Sequence, residues 1–136
     1  MFDKLVLASN NPGKLREFAA LFVPHRIEVL PQSAFAIPEA EEPHCTFLEN
    51  ALAKARHAAR LSGLPAMSDD SGLCVPALGG GPGVHSAYCA GKDGDRATRD
   101  ARNNARLLAA LEGRSDRRAH YYCVLVLLRH AEDPQP

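Results

Sequence analysis

Between Leu5 and Phe18 the chain reads LVLASNNPGKLREF. The apolar run Leu5-Val6-Leu7-Ala8 has the length of a buried strand. It stops at six small, polar or turn-forming residues, and a helical pattern begins without any linker. Pro12 suits the first turn of that helix, and Leu15, Phe18, Leu21 and Phe22 share one stripe over Pro12 to Val23. A strand that feeds straight into a helix is the opening unit of an α/β chain, and the pattern continues downstream.

Ile27 to Leu30 reads as a short strand. Residues 31 to 45, with Pro31, Pro38 and Pro43, form an acidic loop. Thr46 opens a second helix, because Thr46 and Glu49 have capping-box spacing and Gly63 is a natural stop. Its expected core stripe is Leu48, Leu52, Ala55 and Ala59. Pro65 to Ser68 is a short strand ending at Asp69-Asp70-Ser71-Gly72. The glycine-rich residues 79 to 94 are loop. Thr98 to Glu112 is a third helix carrying Leu107, Leu108 and Leu111, stopped by Gly113. Ala119 to Leu128 is the longest strand. Interleaved strands and helices make the class α/β. The last strand is apolar on both faces, which predicts a place inside a sheet with neighbours on both sides. Only eight residues follow it and no strand returns, so the sequence reads as a fragment or an incomplete chain.

The 136 residues suffice for one domain with a real core and not for two. Lys plus Arg equals Asp plus Glu at 16 each, which argues against a nucleic-acid stripe or a membrane-surface helix. No window approaches a transmembrane span, and no amino-terminal signal pattern is present. Cys45, Cys74, Cys89 and Cys123 form no CxxC pair and read as reduced thiols of a cytosolic protein.

Several short clusters could carry chemistry. Ser9-Asn10-Asn11-Pro12-Gly13-Lys14 joins a strand to a helix start, where free N–H groups and the helix dipole favour phosphate, and Lys14 adds a full charge. It lacks Walker spacing, and on these six residues alone an ordinary capped turn is the better reading. Glu39, Glu41 and Glu42 precede the second helix; such a run is usually a solvated face, the reading kept for Glu39. Asp69-Asp70-Ser71 ends a strand, where paired carboxylates hold Mg²⁺ or activate water, although an Asx turn is equally compatible. Ser71 has no nucleophile elbow around it. Asn50, Lys54 and His57 share one helix face, expected opposite the apolar stripe, and in isolation Lys54 reads as a solvated lysine. Gly79 to Gly83 is a flexible turn, Asp93, Asp95 and Asp100 lack the glycine and glutamate of a calcium loop, and His85 with Cys89 lacks partners for zinc. The combination says more than any part. One phosphate loop, two carboxylate clusters on separate segments and an intervening lysine are what a triphosphate with a divalent cation requires.

The segments SNNPGK, EEPHCTFLENALAKARHAA, SDDSGL and GGGPGVHSAYCAG, in this order, resemble the inosine triphosphate pyrophosphatases, the XTP/dITP diphosphatases. NNARLLAAL and CVLVLLRHAEDPQP extend the resemblance to bacterial members over essentially the whole chain. It implies an elongated mixed α/β sheet with flanking helices, two lobes around a cleft, usually a homodimer, with the carboxy-terminal part of the family fold missing. It implies Mg²⁺-dependent hydrolysis of ITP, dITP or XTP to the monophosphate and pyrophosphate in the cytoplasm. By motif match, Ser9, Asn10, Asn11, Pro12, Gly13 and Lys14 bind the triphosphate, with Lys54 and Ser71 as further substrate contacts. Glu42 and Asp70 match metal ligands, Asp70 also matches the residue assigned as general base, and Asp69 is a second metal or water partner.

Two departures qualify the match. The family's Ser-Ala-Arg-Tyr is here Ser86-Ala87-Tyr88-Cys89, so Tyr88 stands where an arginine is expected. The family's FGYDP and Ser-His-Arg segments, which embrace the base, are absent, which predicts poor base selectivity. Two other classes stay open: a catalytically impaired nucleotide-binding or dimerisation fragment, and a Maf-type pyrophosphatase, whose loop typically carries arginines in place of Pro12-Gly13-Lys14.

Overall fold

The computed structural model describes all residues, 1–136. Four strands and three α-helices alternate: β1 Lys4–Leu7, α1 Pro12–Phe22, β2 Glu28–Pro31, α2 Phe47–Ser62, β3 Ala66–Cys74, α3 Arg96–Ala110 and β4 His120–Leu128. They form one four-stranded sheet in the order β2-β1-β3-β4, with β1 parallel to both β2 and β3. The expected α/β sheet with flanking helices is what the chain forms. It divides into two compact units, Met1–Asp70 with Val124–Pro136, and Ser71–Cys123.

In the first unit the alternation of β1 is the organising device. Leu5 and Leu7 face one side and pack with Phe18 and Met67, with Leu15, Phe22, Ile27 and Val29 around them. Val6 and Ala8 face the other side and pack on Ala58, Ala59 and Ala66. So α1 covers one face of the sheet and α2 the other. Leu21, expected in the α1 stripe, is 60% exposed. Thr46 caps α2 as expected, its Oγ1 accepting from the Glu49 N–H at 3.2 Å, and Gly63 ends the helix at a φ of 69° that favours glycine.

The buried stripe of α2 is Ala51, Ala55, Ala58 and Ala59, and Leu48 is 59% exposed. The expected stripe of Leu48, Leu52, Ala55 and Ala59 keeps Ala55 and Ala59, with Leu52 partly buried beside them, while Ala51 and Ala58 take the place of Leu48, a rotation of less than the ~100° that one residue spans. Alanines let the helix lie close to the sheet, and this closeness outweighs the greater apolar area of Leu48. The rotation carries Asn50 and Lys54 inward; they are not on a solvated face opposite the core.

β3 is longer than expected and carries Asp69-Asp70-Ser71-Gly72 inside its nine residues, which excludes an Asx turn there. β4 stands last in the strand order of this chain; Tyr121, Tyr122, Leu125 and Leu127 are exposed, while Val126 and Leu128 pack on Ala51 and Ala55.

In the second unit, buried Asn103 on α3 ties down the glycine-rich segment. Its Nδ2 donates to the Ala87 carbonyl at 3.0 Å and its Oδ1 accepts from the Ala90 N–H at 3.0 Å. A short 3-10 segment, Gly83–Tyr88, lies within the expected loop. Asp95 caps α3 by accepting from the Thr98 N–H at 2.8 Å, a structural task for an acid of the rejected calcium pattern. Lys92 Nζ lies 4.9 Å from the centre of the Tyr88 ring, so a cation sits beside the position where an arginine was expected.

Candidate functional site

The chain goes from β1 through α1 to β2 on one side, then returns through α2 to β3 on the other side of β1. At such a reversal the crevice beyond the carboxyl ends of the parallel strands is the natural ligand site, because the two connecting loops diverge there. The register Leu7↔Met67, with the Ala8 N–H donating to the Met67 carbonyl at 2.8 Å, brings Ser9–Lys14 beside Asp69 and Asp70.

The loop is tightly self-satisfied. Asn11 caps α1, its Oδ1 accepting from the Gly13 N–H at 3.0 Å, and the Asn11 N–H donates to Ser9 Oγ at 3.1 Å. Pro12 has no N–H to give. The cationic handle of the loop is therefore Lys14, with the dipole of α1 behind it. Ser9, Asn10, Asn11 and Pro12 line a cavity of about 530 Å³ together with residues of the turn after β2.

Asp69 and Asp70 are consecutive in a strand and so point to opposite faces. On the α1 face, Lys14 Nζ donates to Asp69 Oδ2 at 2.6 Å. On the α2 face, Lys54 Nζ lies 2.7 Å from Glu42 Oε1 and 3.4 Å from Asp70 Oδ1. One ammonium thus gathers acids from two segments 28 positions apart in sequence. Lys54 is not a solvated lysine; its side chain is 17% exposed. Ser71 follows Asp70 along β3 and belongs to the second unit.

Burial pushes the Asp70 carboxyl above the usual carboxylate range, opposed by Lys54 and reinforced by the charges of Glu42 and Asp69. Burial alone would lower the Lys54 ammonium. The hydrogen bond to Glu42 and the charges of Glu42, Asp70 and Asp69 together outweigh it and raise the pKa. Asp70 is the acid whose compensation is incomplete: its Oδ2 is buried and accepts no hydrogen bond.

These observations test whether a divalent cation fits. Three carboxylates face two ammoniums, which leaves a negative surplus, and one buried carboxylate oxygen lacks a partner. Glu42 and Asp70 offer hard oxygen donors close together. No group of three or more His, Cys, Asp or Glu side chains gathers anywhere in the chain. Two protein carboxylates with the remaining positions left to phosphate oxygens and water is the pattern Mg²⁺ prefers over a full protein cage.

Three contacts were not anticipated. Asn10 Nδ2 donates to Glu39 Oε1 at 3.1 Å, so Glu39 is engaged by the Ser9–Lys14 loop. Asn50 grips the His44 backbone, and His57 meets the Pro38 carbonyl. The shared helix face of Asn50, Lys54 and His57 was visible in the sequence; what lay against it was not.

The description of the Ham1 family matches residues 5–136. The chain is 65% identical over 136 residues to the dITP/XTP pyrophosphatase of Chromobacterium violaceum, covering 100% of this chain and 67% of that protein. It is 64% identical over 133 residues to the dITP/XTP pyrophosphatase of Ralstonia nicotianae, covering 98% of this chain and 66% of that one. It therefore spans about two thirds of the length of these relatives. Among solved structures, a HAM1 protein from Coxiella burnetii superposes with a TM-score of 0.90 at 44% identity, over 99% of this chain and 68% of that one.

Proposed function

The chain belongs to the Ham1 family, and from that premise we propose that its reaction is hydrolysis of deaminated purine nucleoside triphosphates to the monophosphate and pyrophosphate with Mg²⁺. The observation that carries the reading is the Glu42–Lys54–Asp70 cluster beside the Ser9–Lys14 loop, with an orphaned carboxylate oxygen on Asp70. The names of the relatives, dITP/XTP pyrophosphatases, support the substrate class.

In this reading Glu42 and Asp70 hold the cation, and Asp69 steadies Lys14. A bound Mg²⁺ neutralises phosphate charge and makes a coordinated water more acidic. Lys14 leaves Asp69 to meet the phosphate oxygens, with the positive end of α1 adding to its attraction. Asp70 aligns the attacking water onto the α-phosphorus; a carboxylate close to Mg²⁺ has a lowered pKa, so its part is to orient that water rather than to act as a strong base. Lys54, displaced from between the two acids, becomes a substrate contact, as does Ser71. Homodimer formation and a cytosolic setting belong to the same proposal. All four cysteines are free, and no helix is long and apolar enough to cross a membrane.

The test is pyrophosphate release from a panel of ITP, dITP, XTP, GTP and dTTP, with Mg²⁺ and with chelator. Release from the deaminated purines that stops with chelator is the expected result. Release of orthophosphate, turnover that ignores chelator, or no turnover by the chain refutes it.

A further inference from the structure

We infer that Asn50 and His57 are positioning residues that strap the acidic loop to α2 and thereby set where Glu42 stands. The consequence for cation binding rests on the reading of Glu42 given above; the strap itself rests on geometry alone.

The loop between the turn after β2 and the cap of α2 is attached to that helix at three points, all on one face of it. At one end, His57 Nε2 lies 3.0 Å from the Pro38 carbonyl. A carbonyl oxygen only accepts, so Nε2 carries the hydrogen. In the middle, Lys54 Nζ holds Glu42 Oε1 at 2.7 Å. At the other end, the His44 N–H donates to Asn50 Oδ1 at 3.0 Å, and Asn50 Nδ2 donates back to the His44 carbonyl at 3.1 Å.

The Asn50 clamp is a built feature. Its side chain is 1% exposed, yet both its polar atoms are satisfied by the backbone of a single residue. A buried amide that satisfies one residue in both directions fixes the translation and the rotation of that peptide together. His44 is two positions after Glu42, so a fixed His44 leaves the Glu42 carboxylate little room to wander. Positions 50, 54 and 57 follow helical spacing, so the three attachments line up along the helix while the loop runs past them. Pro38 and Pro43 limit the loop's own freedom between the anchors. Lys54 is drawn away when a cation and phosphate arrive in the proposed reaction. Asn50 and His57 are the two anchors that do not compete with either, so they hold Glu42 in place throughout.

The experiment uses the full chain with two readouts. The first is hydrogen exchange, read over residues 38–45 and, as a control for global stability, over β1. In Asn50→Ala, exchange at His44 and its neighbours should run about tenfold faster while β1 is unchanged. The second is Mn²⁺ affinity by electron paramagnetic resonance, for the parent, Asn50→Ala, Glu42→Gln and the double variant. Loss of a residue that orients a metal ligand should weaken Mn²⁺ by about tenfold or more, and the double variant should bind no worse than Glu42→Gln. Equal exchange in the loop, or losses that simply add in the double variant, overturns the inference. A Glu42→Gln variant that binds Mn²⁺ as the parent does removes the ligand reading and leaves the strap to the exchange measurement. Should Asn50→Ala lose its fold by circular dichroism, His57→Ala carries both readouts with the same expected directions. Unchanged exchange near Pro38 and unchanged Mn²⁺ binding there overturn the proposal.

Discussion

Replacing Lys54 by methionine keeps the length of the side chain and removes its ammonium. Glu42 and Asp70 are then left facing each other with no cation between them, and Asp70, already lacking a partner for Oδ2, loses its contact at Oδ1. Breaking a deeply buried ion pair from one side costs about 3–5 kcal/mol. Here the three side chains keep 17%, 27% and 11% of their exposure, so partial hydration reduces the cost to about 2 kcal/mol. For a chain of this size that is a fall in Tm of about 5–10 °C near neutral pH. The sign of the pH dependence follows from Asp70. Its carboxyl is raised in the folded state, so it withdraws stability as pH rises through its folded value and returns it below. Without Lys54 the carboxyl rises further, and the gap between Lys54→Met and the parent should close as pH falls into the acid range. A second arm adds Mg²⁺. The variant exposes both acids to the cation without competition, so saturating Mg²⁺ should raise its Tm more than that of the parent, and this gain should vanish in Glu42→Gln/Lys54→Met. Differential scanning fluorimetry measures all three effects. A variant as stable as the parent at neutral pH, a gap that widens in acid, or Mg²⁺ stabilisation that survives in the double variant refutes the reasoning.

Asp70→Asn removes the carboxylate proposed to orient the water and to hold the cation while keeping the side chain's size. Pyrophosphate release should fall by about 10²–10⁴-fold, and retained turnover with unchanged Mg²⁺ dependence would contradict the role. Lys14→Met frees Asp69 and takes one full charge from the phosphate loop. It should lower kcat/KM for the triphosphate by about 10–100-fold, the loss of one charge-assisted hydrogen bond, and an unchanged value would remove Lys14 from the site. Thr46→Ala loses the α2 cap and should cost about 1 kcal/mol in denaturant unfolding with the m value unchanged; no loss would mean that the cap contributes nothing.

The elements that local chemistry dictates were legible in the residues. The strand–loop–helix at Leu5–Phe18, the Thr46 cap, the Gly63 stop and the α/β alternation each depend on neighbours within a few positions, and each stands where those neighbours put it. The capped turn at Ser9–Lys14 was legible for the same reason. The burial of Lys54 was not, because it depends on which side of α2 meets the sheet. Ala55 and Ala59 were placed on the buried side from the sequence, but Leu48 was placed there too; Ala51 and Ala58, packed on Val126, Leu128, Val6 and Ala66, take that part of the face instead.

The sequence by itself therefore determined the order and kind of the elements and the residue types available for chemistry, because capping, turn formation and periodicity act over short stretches of chain. Only the tertiary structure decided that Glu42 and Asp70 share one ammonium, that Asp69 answers to Lys14 on the other face of β3, and that Asn50 holds His44. Those pairings depend on strand register and on the rotation of α2 against the sheet, which the packing of distant side chains sets.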